Sequence, residues 1–245
     1  KADPKMDRWV WLGEAIGVDE LIYYMFSDRH RQKPDPDRRY DRIYIGGDYG
    51  QQNATTFEAF GLDTYRKKFP GLGEYYHSGR ESGRQKSPSE YARDLVEFMD
   101  ELHEQYENRI FYIFLDPSAK GLAEEVKRAT RTGLDYQVLL RDAENDVALG
   151  ISRVQKALVF DIMSISPKQE YAVQEFGTYE YDKKSIEKGK EVPVKEADHC
   201  MDAIRYVVMG AWSKIKHWLP KDETPEEIDI CDISSREVRE EDEYL

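Results

Sequence analysis

The sequence predicts an α/β fold whose mixed central sheet combines an antiparallel meander with parallel strands and is flanked by helices. Two observations support this prediction. Runs of β-branched and aromatic residues, separated by Gly-rich turns, follow one another in the first third of the chain. Apolar runs then alternate with segments whose apolar residues recur at helical spacing, which is typical of parallel strands joined by helices. With 245 residues, 40% of them hydrophobic, the chain can build one sizeable core.

The individual elements follow from the period of the apolar residues and from turn and cap signals. The predicted strands are residues 42–48, 55–62, 74–79, 110–116, 136–140 and 158–163. The predicted helices are residues 89–106, 118–129, 147–156, 167–176 and 197–216. Ser89 is the expected N-cap of the first helix. Residues 178–181 are predicted as one arm of a hairpin, and residues 183–195 as a basic loop or hairpin.

Composition divides the chain into three parts. Residues 1–39 are predicted to be a docking segment and linker, residues 40–219 a folded domain, and residues 220–245 a flexible acidic tail. Residues 221–245 hold eleven Asp and Glu against three Lys and Arg, which is −8 of the net charge of −13. The acidity that would argue against a nucleic-acid partner is therefore concentrated in the predicted tail.

Several classes of protein are excluded by composition. No apolar stretch approaches the roughly 20 residues needed to cross a bilayer, and the first residues lack the apolar segment of a signal peptide. An intracellular protein without a membrane partner is expected. The two cysteines, Cys200 and Cys231, are too few for a disulfide framework or a thiolate metal site.

Three aspartates lie where a carboxylate is unexpected. Asp48 and Asp116 each end an apolar run that is typical of a buried strand, and Asp202 lies on a helix whose other faces are largely apolar. Carboxylates that converge at the end of a core repel one another unless cations neutralise them. Oxygen ligands suit Mg²⁺ or Mn²⁺, and two such ions could clamp the attacking and leaving oxygens of a phosphodiester. The pattern predicts a metal-dependent nuclease.

Each aspartate also has a simpler interpretation. Asp48 could cap the turn that follows it, and Asp116, in Asp-Pro-Ser, resembles a helix N-cap. On the last helix a polar stripe is formed by Asp198, His199, Asp202 and Arg205. This stripe could be a solvated face with Asp202 paired to Arg205, or His199 and Asp202 could reach one metal or its bound water.

Together, strand-Asp-Tyr-Gly, strand-Asp-Pro-Ser and Asp-His-Cys-Met-Asp-Ala-Ile-Arg-Tyr resemble the nuclease domain of tailed-phage large terminase subunits. The resemblance covers about residues 40–216 and implies an RNase H-like fold. It also implies that Asp48, Asp116 and Asp202 bind the metal and that His199 matches an active-site histidine of some members. Asp198 is expected to contact these ligands rather than the metal.

The resemblance further implies an endodeoxyribonuclease that cuts concatemeric viral DNA during genome packaging in the host-cell cytoplasm. Its implied partners are double-stranded DNA, the portal protein and the small terminase subunit. The chain departs from the whole subunit in having no Gly-x-x-x-x-Gly-Lys-Ser/Thr loop, so ATP hydrolysis is not assigned to it. A C-terminal domain is expected, with a Walker motif upstream of Lys1.

The expected mechanism is direct hydrolysis at two metal ions, with one activating a water and the other stabilising the departing 3′ oxygen. Phosphate contacts are expected from basic residues after the third strand and before the last helix. The candidates are Arg80, Arg84, Lys86, Lys183, Lys184, Lys188 and Lys190. They could equally be ordinary solvated side chains in loops.

Three other functions remain open from the sequence. The segment from Gly46 to Thr56 resembles the first phosphate loop of the actin-like phosphotransferases, although neither a second phosphate loop nor an adenosine-binding segment is convincing. A Holliday-junction resolvase would use a similar acidic site. A non-catalytic packaging module, whose aspartates are only structural caps, is the third.

Overall fold

A computed structural model describes residues 21–50 and 53–220, which form a six-stranded sheet flanked by helices. The strands are β1 (Arg42–Asp48), β2 (Ala54–Leu62), β3 (Phe69–Ser78), β4 (Ile110–Leu115), β5 (Gln137–Asp142) and β6 (Met163–Ser164). Their order in the sheet is β5-β4-β1-β2-β3-β6. The central strand β1 pairs antiparallel with β2 and parallel with β4, while β5 and β6 add parallel strands at the two edges. The predicted mixed sheet is confirmed.

The helices alternate with the later strands. They are α1 (Gly79–Ser82), α2 (Pro88–Tyr106), α3 (Lys120–Ala129), α4 (Val147–Val159), α5 (Glu170–Phe176), α6 (Lys183–Ile186) and α7 (His199–Ile215). Helix α2 begins with a capping box in which Ser87, not Ser89, is the N-cap. The Glu90 carboxylate accepts a hydrogen bond from the Ser87 backbone N–H at 2.8 Å, and this bond with the nearby Arg84 lowers the pKa of Glu90 to about 2.

The two faces of the sheet carry separate apolar cores. Alternate side chains of β1 divide between them, so that Tyr44 packs with α4, α5 and α7, whereas Ile43 and Ile45 pack with α2 and α3. Helix α7 is apolar on most of its surface because it lies against the sheet and under α4. The last helix is thereby held directly on the central strand.

Two strand predictions are corrected by the structure. The third strand begins at Phe69 rather than at residue 74, because pairing with β2 overrides the turn preference of Pro70 and the glycines after it. The predicted strand 158–163 is mostly the end of α4 and a turn at Asp161, where φ is 50°, and only Met163–Ser164 pairs with β3. Leu158 continues the helical stripe of α4, which a short apolar run alone cannot distinguish from a strand.

Packing extends upstream of the predicted domain start at Tyr40. Ile22, Tyr23 and His30 are buried, and the Ile22 backbone N–H donates to the Tyr179 carbonyl at 2.9 Å. The three-part division of the chain stays a prediction. Residues 1–20 and 221–245, with most of the predicted docking segment and the acidic tail, lie outside the described residues. None of the described helices combines the length and the apolar character that spanning a bilayer needs.

Candidate active site

Asp48 and Asp116 lie next to each other at the carboxyl ends of two neighbouring strands. Strands β1 and β4 are parallel neighbours, and their register pairs Gly47 with Leu115. Asp48 follows Gly47, and Asp116 follows Leu115 just beyond the end of β4. The carboxyl ends of parallel strands lie at the same end of a sheet. The register therefore brings together two carboxylates that are far apart in sequence.

Helix α7 reaches the same edge because it lies unusually close to β1. A Cβ atom at Gly46 would overlap the backbone carbonyl of Ala203 and press on Val207. Glycine is required here for the close approach of a helix to a strand. This contact places the first turn of α7, with His199 and Asp202, beside the end of β1.

His199 binds Asp48 directly. The His199 Nδ1 lies 2.6 Å from the Asp48 Oδ2, and both side chains are about one-fifth exposed. Burial works to lower the pKa of His199, but the hydrogen bond and the charge of Asp48 outweigh it and raise the pKa above its usual value. The protonated imidazole is therefore favoured beside this carboxylate.

Asp116 is held by three hydrogen bonds. Its Oδ1 accepts from the Ser118 backbone N–H at 2.7 Å, and its Oδ2 accepts from the Tyr206 hydroxyl and the Asn145 amide, both at 3.0 Å. Burial tends to raise the pKa of Asp116, but its hydrogen bonds lower it below its usual value. Asp116 is not the N-cap of α3, which is Ala119. One of its oxygens accepts a local turn hydrogen bond instead, and the other faces α7 and the loop after β5.

Asp202 is bound by two cations. Its Oδ1 accepts a hydrogen bond from Arg205 Nη2, and the Lys195 ammonium lies 3.7 Å from its Oδ2. The same ammonium lies 3.5 Å from Asp198 Oδ2, a buried oxygen with no hydrogen-bond partner among the described residues. Burial and the charge of Asp202 raise the pKa of Asp198. The buried Asp198 thus shares the lysine Lys195 with Asp202.

The charges of all three aspartates act on one phenol. Burial raises the pKa of Tyr206, and the charges of Asp202, Asp116 and Asp48 all raise it further. Tyr206 lies one turn beyond Asp202 on α7, and its hydroxyl donates a hydrogen bond to Asp116. Helix α7, which carries Asp202, therefore contacts both other predicted ligands, Asp48 through His199 and Asp116 through Tyr206.

The carboxylate oxygens of Asp48, Asp116 and Asp202 already contact protein donors. Within the described ranges, one group of three possible ligands has all its ligand atoms within 4.8 Å of one another, and it consists of Glu58, Glu74 and Cys200. The three aspartates do not form such a group. The aspartates nevertheless offer oxygen ligands from three separate elements. Asp48 and Asp202 are 19% and 14% exposed, so a cation from solvent can reach them.

The group of Glu58, Glu74 and Cys200 has a structural explanation. Glu58 accepts hydrogen bonds from Thr56 and Gln169, and Glu74 accepts the first backbone N–H groups of α5. Burial raises the pKa values of Glu58, Glu74 and the Cys200 thiol. A raised pKa disfavours the ionised form that binds metal, and the carboxylate oxygens already have hydrogen-bond partners. This network supports the helices α5 and α7 instead.

Two of the residues predicted to contact DNA already form ion pairs with carboxylates. Arg84 and Lys86 form ion pairs with Glu90 and Asp94, each at 2.6 Å. Every candidate except Lys86 is exposed, namely Arg80, Arg84, Lys183, Lys184, Lys188 and Lys190. Arg80 follows β3, whose Ser78 end lies at the Asp48 edge of the sheet because Thr56 pairs with both Asp48 and Tyr76.

Comparison with solved structures finds terminases. The large terminase of a thermophilic bacteriophage, solved in complex with ATP-gamma-S, is 33% identical, with a TM-score of 0.67 over 77% of this chain and 45% of that chain. The P22 large terminase nuclease domain is 17% identical, with a TM-score of 0.58 over 78% of this chain and 92% of that domain.

The chain belongs to the large-terminase family. A third terminase structure, the nuclease of thermophilic phage G20c with bound cobalt, is 16% identical, with a TM-score of 0.51 over 77% of this chain and 96% of that one. The nuclease-domain neighbours confirm the RNase H-like fold. This chain spans less than half the length of the terminase solved with ATP-gamma-S. No protein-family model and no curated protein sequence matches it.

In this terminase chain the sequence had not singled out Tyr206, Asn145 or Lys195 as site residues. Tyr206 was visible as the last residue of the motif on α7, one turn after Asp202. Asn145 and Lys195 lie in connecting segments, and no local pattern signals that they face Asp116 and Asp202. Their roles depend on the packing of distant segments.

Proposed function

We propose that the chain is a divalent-metal-dependent endonuclease that cuts double-stranded DNA, with concatemeric viral DNA as its substrate during genome packaging. The observation that carries this proposal is the convergence of three aspartates: the register of β1 and β4 brings Asp48 beside Asp116, and α7, which carries Asp202, hydrogen-bonds to both through His199 and Tyr206. Residues 40–219 would be the nuclease domain of a longer subunit. The relatedness to the thermophilic-phage large terminase supports the packaging role.

The residues that would hold the metal are Asp48, Asp116 and Asp202. The donor set fits a hard cation, because all three ligands are carboxylates and they come from β1, the end of β4 and α7. Mg²⁺ or Mn²⁺, as a pair of ions, is the proposed cofactor, and the cobalt bound to the G20c nuclease supports the use of a divalent metal. When bound, such ions supply activation of water and stabilisation of a leaving oxygen.

The chain's own residues would prepare this chemistry. His199 orients Asp48 by its 2.6 Å hydrogen bond, and Tyr206 and Asn145 orient one oxygen of Asp116. A ligand whose position is fixed before the substrate binds loses less entropy in the reaction. Lys195, whose ammonium lies 3.7 Å from Asp202, would contact a substrate phosphate if a metal took its place beside that carboxylate.

DNA would be held mainly through its phosphates. The exposed lysines 183, 184, 188 and 190 precede Lys195, and Arg80 follows β3 at the Asp48 edge of the sheet. Arg84 and Lys86 would contribute less because they already have carboxylate partners. The portal protein and the small terminase subunit are the proposed protein partners.

The test is nicking of supercoiled plasmid with Mn²⁺, with Mg²⁺ and with a chelator. We expect cleavage with a divalent metal only, and its loss in Asp48→Asn, Asp116→Asn and Asp202→Asn. Asp135→Asn is a matched control, because this exposed aspartate precedes β5 at the opposite edge of the sheet. If any two of the three site variants cleave like the wild type, the metal-binding assignment is wrong.

A further inference from the structure

Arg205 is a buried cation with an incomplete set of hydrogen bonds. It is 1% exposed and the largest fully buried side chain in the described part of the protein. Its Nη2 donates to Asp202 Oδ1, whereas its Nε and Nη1 have no hydrogen-bond partner among the described residues. Burying a guanidinium is costly, and an apolar residue of similar volume is often at least as stabilising. Stability alone therefore does not explain an arginine here.

Two tyrosine hydroxyls in the same interior region also lack partners. The Tyr23 and Tyr179 hydroxyls are buried and have no hydrogen-bond partner within the described ranges. Their rings stack with centroids 5.9 Å apart. Burial raises the pKa of each phenol, and the positive charge of Arg205 acts against that rise in both. The two hydroxyls therefore lie near this charge without touching it, and a bridging water would join them to the unpartnered Nε and Nη1 of Arg205.

The rest of the enclosure is rigid. A Cβ atom at Gly150 on α4 would lie 3.3–3.5 Å from Cδ, Cβ and Cγ of Arg205, so this helix closes over the arginine stem. Tyr23 is held next to Tyr179, because its neighbour Ile22 donates its backbone N–H to the Tyr179 carbonyl at 2.9 Å. A side chain packed in this way has little rotamer freedom.

The two oxygens of Asp202 have different partners. Oδ1 is bound by Arg205, while the ammonium of the exposed Lys195 lies 3.7 Å from Oδ2. Lys195 is 64% exposed and can swing away, but Arg205 cannot. One oxygen of Asp202 is fixed and the other is presented toward the site.

We propose that Arg205 is a positioning residue that fixes the Asp202 carboxylate for metal binding, and that the unpartnered hydroxyls of Tyr23 and Tyr179 support its guanidinium through a bridging water. This inference rests on the proposed metal-binding role of Asp202. It makes Tyr23, which lies upstream of the predicted start of the domain, a structural part of the metal site. The effect expected from losing such a supporting contact is a weakening of metal affinity by about 10- to 100-fold.

The experiment measures Mn²⁺ affinity by titration calorimetry on chelator-washed protein, with thermal unfolding as a second readout. The variants are Arg205→Lys and the double variant Tyr23→Phe/Tyr179→Phe, which keeps the packed rings and removes only the hydroxyls. We expect both to bind Mn²⁺ at least about 10-fold more weakly than the wild type. Plasmid cleavage should recover when Mn²⁺ is raised to saturation.

Arg153→Lys is the matched control, because Arg153 is also partly buried and lies over the Trp212 ring but does not touch Asp202. Its Mn²⁺ affinity should equal that of the wild type. Wild-type affinity in the double tyrosine variant overturns the proposal while leaving the nuclease function intact, and this variant decides the matter if Arg205→Lys does not fold. A wild-type protein that neither binds Mn²⁺ nor cleaves DNA overturns the proposed function, and with it this role of Arg205.

Discussion

The Nδ1 of His199, on α7, lies 2.6 Å from the Oδ2 of Asp48, at the end of β1, although 151 positions separate the two residues in sequence. This hydrogen bond joins the last helix to the central strand at the candidate site. When protonated, His199 also offsets the charge of one of three neighbouring carboxylates.

His199→Ala should reduce Mn²⁺-dependent cleavage by about 10- to 100-fold, because Asp48 loses the partner that orients it. Asp198→Ala should have a smaller effect, since Asp198 contacts Lys195 rather than Asp48. Initial rates of plasmid nicking between about pH 6 and 9 provide the measurement. Equal rates for wild type and His199→Ala over that range would leave His199 with only a structural role.

Asp202→Ala should destabilise the protein more than Asp48→Ala. From the sequence, removing any one of the three carboxylates is expected to relieve repulsion and leave the melting temperature level or higher. The structure changes this expectation for Asp202, because its loss leaves the buried Arg205 without a carboxylate and costs about 3–5 kcal/mol. Asp48→Ala leaves His199, which can release its proton.

Urea unfolding of both variants in chelator gives the comparison. The Asp202→Ala protein should have the clearly lower free energy of unfolding. Equal values for the two variants would show that the Arg205 contact does not stabilise the fold.

Gly46→Ala should weaken both stability and activity. The added methyl group would overlap the Ala203 carbonyl, so that α7 must move away from β1 at about 1–3 kcal/mol or more. Gly73→Ala on β3 is the control, because its Cβ would make an ordinary 3.5 Å contact with Phe98. In chemical denaturation and plasmid nicking, Gly46→Ala should lose clearly more stability and activity than Gly73→Ala. Similar losses in the two variants would argue against the close approach of α7 to β1.

Replacing Lys184, Lys188 and Lys190 with Gln should weaken DNA binding similarly for all sequences. Each lost phosphate contact reduces the slope of log affinity against log salt by about 0.9, so the slope should fall by up to about 2.7. A triple Gln variant of Arg66, Lys67 and Lys68, in the turn between β2 and β3 at the far edge of the sheet, is the matched control. An unchanged slope in the first variant would remove these lysines from the DNA path.

Stability should fall as the pH rises above about 4.5, in part because of Glu58. Burial and the neighbouring Glu74 raise the pKa of Glu58 well above its usual 4.5. The folded state therefore keeps a proton that the unfolded chain has released, so the stabilisation is complete below about pH 4.5 and is lost as the pH rises toward the folded pKa. The slope for one such group is at most about 1.4 kcal/mol per pH unit.

Glu58→Gln should reduce this pH dependence, measured as the free energy of unfolding over a series of pH values from mildly acidic to alkaline. Glu104→Gln, an exposed position on α2, should keep the wild-type slope. The same slope in the Glu58 variant as in the wild type would mean that Glu58 is ionised in the folded protein.

The sequence was sufficient for the features that depend on local patterns. Apolar runs ending in Asp48 and Asp116 predicted two strand ends with carboxylates, and helical spacing placed His199 and Asp202 on one face of the last helix. The mixed sheet followed from the change of period along the chain. These features are local because strands and helices are recognised by periods of a few residues.

Only the tertiary structure decided how these side chains are partnered. The polar stripe of α7 is not a solvated face, because Arg205 is buried, and Asp116 is bound by Tyr206 and Asn145 from two other segments. Arg84 and Lys86, predicted to hold DNA, are paired with carboxylates of α2. Partners of this kind are fixed by strand register and by the packing of helices on the sheet. Neither leaves a periodic signal in the sequence, because the contacting residues are brought together only when distant segments bury their apolar faces.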